Sequence, residues 1–100
     1  MNERAIMHLM RMLNCYENIQ HLDWPQRGLE EFAFSRCAIE EILQLVWDHP
    51  WTLASEIIED FVLKMEFYKK SSVTDDQKRI FSVSTEMALK VLQEIKSLEK

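Results

Sequence analysis

Apolar residues recur along this chain at intervals of three and four, and rarely in strict alternation, so the pattern predicts helices. Ile6, Leu9, Met10, Leu13 and Tyr16 share one face and predict a helix over 2–21, with Asn2 as its N-cap and Glu3 in its first turn. Phe32, Ile39, Ile42, Leu43 and Val46, with Leu29 and Trp47 at the edge, predict a second over 29–48. Ala54, Ile57, Ile58, Phe61, Met65 and Tyr68, flanked by Trp51 and Val62, predict a third over 50–70. Ile80, Ser84, Met87, Val91, Ile95 and Leu98 predict a fourth over 75–98, the most cleanly amphipathic of the set.

The breaks between these stripes carry turn chemistry. Asp23 to Gly28 reads as the main loop, because Pro25 biases Trp24 away from helical angles and Gly28 is the only glycine. Trp24 is expected to fold its ring back over the bundle end. Asp48-His49-Pro50 reads as a corner, with Pro50 in the first turn of the third helix, Asp48 or His49 as its cap, and Trp47 and Trp51 bracketing the bend. Thr74-Asp75-Asp76-Gln77 is a capping box after the short linker Ser71-Ser72-Val73. Four helices with short connections predict an all-α, four-helix antiparallel up-down bundle, in a single domain over residues 1–100.

Composition agrees. Apolar residues make up 47% and aromatics 10%, which excludes disorder, and one glycine with two prolines leaves little material for sheet turns. Four methionines, Met1, Met7, Met10 and Met12, give the first helix adaptable gap-fillers. Cys15 and Cys37 form no disulfide framework, and no apolar run reaches the ~18 residues a membrane span needs. With no leader-like start, these features predict a cytoplasmic chain with reduced thiols.

Charge changes the picture more. The net charge is −5, and it is concentrated: residues 23–50 hold six acids against two bases, while residues 1–22 and 71–100 are each balanced. A nucleic-acid binder would show a basic stripe, and a recognition helix would need bases unopposed by acids. Neither is present, nor is any helix basic on its polar face as membrane-surface binding requires. A partner with a basic surface suits the layout.

Catalytic signatures are missing from the pattern. Glu30/Glu31, Glu40/Glu41 and Asp75/Asp76 are adjacent, so on a helix each pair points about 100° apart and does not converge. Cys37 lies mid-helix beside Phe34 and Ala38, where a small contact residue is the plainer reading than a nucleophile. There is no phosphate loop and no Glu-x-x-His pair for a di-metal bundle, so no cofactor or metal is expected. The alternative is a bundle binding a metal or small ligand through His8, Glu17 and His21, the last two being four apart on one face.

What remains is apolar surface in polar company. Phe34, Ala38 and Leu45 run up the acidic side of the second helix beside Glu41, and Leu63 and Phe67 interrupt the outer face of the third beside Glu56 and Asp60. Either these residues meet a neighbouring helix or they await a partner. The expectation is a non-enzymatic binding or regulatory module acting through this acidic–apolar face, against itself as a homodimer or against another protein. In architecture alone, a small acidic four-helix chain without catalytic chemistry resembles bacterial immunity, antitoxin and phage-encoded inhibitor proteins, and no motif of theirs is carried here.

Overall fold

The computed structural model describes residues 1–20 and 23–100. They form four α-helices: α1 (Glu3–Asn18), α2 (Gln26–Asp48), α3 (Ala54–Lys70) and α4 (Asp75–Leu98). No strand occurs among the described residues. Contacts between helix ends fix the directions. Tyr16 at the end of α1 stacks on Phe32 at the start of α2, with ring centroids 4.7 Å apart. Tyr68 and Phe81 join the end of α3 to the start of α4 at 5.5 Å. Lys96 near the end of α4 pairs with Glu59 near the start of α3 at 3.0 Å. Consecutive helices therefore run antiparallel, and the four form the up-down bundle that the periodicity predicts.

The bundle is flattened. Its extents are 39 × 34 × 21 Å, and the smallest is about two helix diameters. Helix α4 is the spine: it packs heavily on α3 and on α2 and also touches α1, whereas α2 and α3 share a much thinner contact. The core follows from this. Leu9, Ile39, Ile42, Val46, Ile58, Val91 and Ile95 are fully buried, joined by Ala38, Ala54, Phe61, Met65 and Ala88. Met10 stands 52% exposed against the predicted core placement, because α1 lies at an edge and buries only the narrow stripe through Ala5 and Leu9.

Helix ends hold the other differences. α1 stops at Asn18, earlier than position 21, where Asn18 Nδ2 donates back to the Asn14 carbonyl at 2.9 Å and Ile19 turns extended. α2 starts three residues early, because Pro25 occupies the N-cap position and Gly28 is helical with no positive φ. Trp24 does fold back, meeting Phe32 edge-on at 5.4 Å.

The corner before α3 departs most from expectation. Pro50 sits in a turn closed by the Thr52 N–H donating to the His49 carbonyl at 3.1 Å, and the helix begins only at Ala54. Neither Asp48 nor His49 caps it, since both look back to α2: Asp48 accepts from Gln44 at 2.9 Å, and His49 Nδ1 lies 2.8 Å from the Leu45 carbonyl. The cap comes from Asn2. Its Oδ1 accepts from the Ala54 N–H at 3.0 Å while its Nδ2 donates to the Thr52 carbonyl at 2.7 Å. Glu99 adds an acceptor for the Ser55 N–H at 3.3 Å. Asn2 thus stands at the start of α1 without capping it. Trp47 and Trp51 stand on either side of the bend with their rings largely in solvent, 64% and 88% exposed. At α4 the capping box forms as predicted, with the Gln77 N–H donating to Thr74 Oγ1 at 3.1 Å and Gln77 Oε1 accepting from the Thr74 N–H.

Candidate functional site

Two helices that follow one another in a bundle normally interdigitate. Here α2 and α3 diverge, and an apolar trough opens between them with α4 as part of its floor. Its larger part, about 540 Å³, is walled by Phe34, Ala38 and Leu45 of α2, Phe61, Met65 and Tyr68 of α3, and Phe81 of α4. A second hollow of about 330 Å³ continues it along Leu45, Ile57, Asp60 and Phe61 to His49 and Thr52. The two share Leu45, Phe61 and Lys64, so they form one seam that ends beside the exposed tryptophan corner.

Wall positions recur at helical spacing on both sides: Phe34, Ala38, Glu41 and Leu45 on α2, and Ile57, Phe61, Lys64 and Tyr68 on α3. Phe34 and Leu45 are half-buried, as expected for residues that line an open groove. Ala38 is not surface, contrary to its placement on an exposed stripe: it is 3% exposed and belongs to the core beneath the seam.

The other sequence-selected residues distribute unevenly. Glu41 and Asp60 line the seam and are exposed. Phe67 is 65% exposed and lines neither part of the seam; its ring centroid lies 6.1 Å from that of Tyr68, which puts it outside the seam beside the aromatic lip formed by Tyr68 and Phe81. Leu63, 64% exposed, faces a separate shallow depression with Val62, Glu66 and Leu92. Glu56 is exposed on the outer side of α3 and lines neither. Tyr68, Phe81 and Lys64 are seam residues that lie outside the acidic–apolar face expected from the sequence. Tyr68 and Phe81 read as core or core-flanking, and only the divergence of α2 from α3, which no local pattern encodes, brings them to the surface.

One end of the seam is fixed electrostatically. Arg79 of α4 is ion-paired with Glu30 of α2 and holds its guanidinium 5.9 Å from the Phe34 ring centre. The hydrogen bond from Arg79, assisted by Gln26, keeps the Glu30 carboxyl below the ordinary value of 4.5. Glu41, Asp48, Glu56 and Asp60 behave differently: none forms an ion pair among the described residues. Lys64 lines both parts of the seam, and His49 lines the smaller one.

The ligand set His8, Glu17 and His21 does not assemble on what is described. His8 Nε2 lies 2.8 Å from Glu94 of α4. Glu17 follows nine positions later on α1, about 180° around the helix and about 13 Å along it. His21 lies outside the described residues. No group of three His, Cys, Asp or Glu side chains among the described residues could hold a metal ion. Cys15 and Cys37 are free and exposed, Cys37 on the wall of the seam. No described helix is long and apolar enough to cross a membrane. No protein-family model, curated protein or solved structure matches this chain.

Proposed function

We propose that this chain is a non-enzymatic protein-binding or regulatory module whose docking surface is the α2–α3 seam with Phe67 beside its aromatic lip. The observation that carries this reading is the seam itself: a continuous apolar trough between neighbouring helices, bordered by the carboxylates of Glu41 and Asp60, which form no ion pair among the described residues. Apolar surface left contiguous and rimmed by charge is the usual anatomy of an interface. The partner is another protein or a second copy of this chain.

Light scattering on the 12.0 kDa chain, combined with affinity capture from the source cells, tests it. The chain is expected either to exceed its monomer mass or to retain a partner at stoichiometric yield. Glu41→Lys with Phe67→Asp should abolish that association while circular dichroism stays helical, since both residues are exposed. A monomer that retains nothing, or an association that survives the double substitution, overturns the reading.

A further inference from the structure

Resting on that reading, we propose that the occupant of the seam is one amphipathic helix of another protein, with lysine or arginine along its flanks. Shape comes first. From Phe34 to His49 the seam follows α2 for about 22 Å, at 1.5 Å per residue, a length that four turns of helix fill. Both walls present their side chains at three- and four-residue spacing, which leaves gaps that side chains of a third helix at the same spacing enter. An extended peptide has nothing to pair with here: the walls are helices whose interior backbone N–H and C=O groups are already bonded, so strand addition supplies no hydrogen bonds.

Charge then selects among helices. Glu41 and Asp60 border the trough beside Lys64, and neither carboxylate forms an ion pair among the described residues. A helix with basic flanks meets them favourably. A second copy does not: in a two-fold dimer the same patch faces itself, so acidic rim meets acidic rim on chains that each carry −5. The aromatic lip of Phe81 and Tyr68, with Phe67 beside it, offers the large rigid rings that supply binding energy at the mouth.

The probes are three synthetic peptides of about 16 residues: leucine on one helical stripe with lysine flanks, the same stripe with glutamate flanks, and the lysine composition with leucines scrambled off the stripe. The lysine-flanked peptide is expected to bind saturably, at least tenfold tighter than either control, with its affinity falling as salt rises. Amide shifts should map to Ala38, Leu45 and Phe61, and Glu41→Lys with Asp60→Lys should reverse the preference between flanks. Equal binding of the scrambled peptide, shifts outside the seam, or no binding at all overturns the proposal. A seam-dependent dimer of the chain itself removes this occupant while leaving the docking reading intact, whereas loss of every seam-dependent association removes both.

Discussion

Two residues in this chain occupy positions that their sequence neighbourhood misdescribes. Gly28 looks like a turn glycine but sits within the first turn of α2 at ordinary helical angles. A Cβ placed there meets nothing closer than Pro25 at 3.9 Å. Gly28→Ala should therefore stabilise the fold by about 0.4–1 kcal/mol, mostly by restricting the unfolded chain, as a rise in urea midpoint would show. Asn2 looks like the cap of its own helix and is instead, across 52 positions, the cap of α3. It is 6% exposed, so removing its carboxamide strands the Ala54 N–H and the Thr52 carbonyl together. Asn2→Ala should cost about 1–2 kcal/mol, and Asn2→Asp, which keeps an acceptor but loses the donor, should fall between alanine and wild type in the same titration. No local signal announces this role, because capping preference names the residue type and not the helix it serves.

Among the elements, α4 was the most legible and is structurally the most important. Its stripe, its capping box and its limits of 75–98 all appear in the structure as read from the pattern. The same stripe shows where substitutions should hurt. Ile95 is fully buried where α4 meets its neighbours, so Ile95→Ala should destabilise by about 2–5 kcal/mol. Leu89, 43% exposed on the same helix, should tolerate alanine within about 0.5 kcal/mol, and thermal melts of the two variants separate the cases. The tie between α2 and α4 has a pH signature. Arg79 holds Glu30 below its ordinary 4.5, so the folded state takes up that proton less readily than the unfolded chain. The contribution is complete above about pH 4.5 and is lost as the pH falls through the lowered value. Glu30→Gln should flatten that acid limb of the stability profile and leave the neutral region with a constant offset. The corner before α3 was the least legible element. Proline suits a first helical turn, but Asp48 and His49 were already committed to α2, which left the helix to start at Ala54 under a cap from elsewhere.

For the whole molecule, helix number, order and direction were readable because each depends on periodicity and connector length, both local quantities. The relative spacing of the helices was not. Whether Phe34, Leu45, Tyr68 and Phe81 are core or surface depends on how far α2 stands from α3, and that distance is set by α4 packing against both. The sequence marked the surplus of apolar residues, and the structure supplies the opening that explains most of it. Leu63 is the exception, standing exposed on the far side of α3 from the seam.

The clamp on α3 also imposes an order in time. The first amides of α3 are held by Asn2 from one end of the described chain and by Glu99 from the other. Loop closure across such separations comes late, after helices that nucleate on their own contacts. The opening turn of α3 is then the last seal on the native state rather than part of its nucleus. Asn2→Ala should accordingly accelerate unfolding and leave the refolding rate unchanged, a chevron with one shifted arm. If the refolding arm shifts instead, the contact between Asn2 and the start of α3 forms before the rest of the bundle.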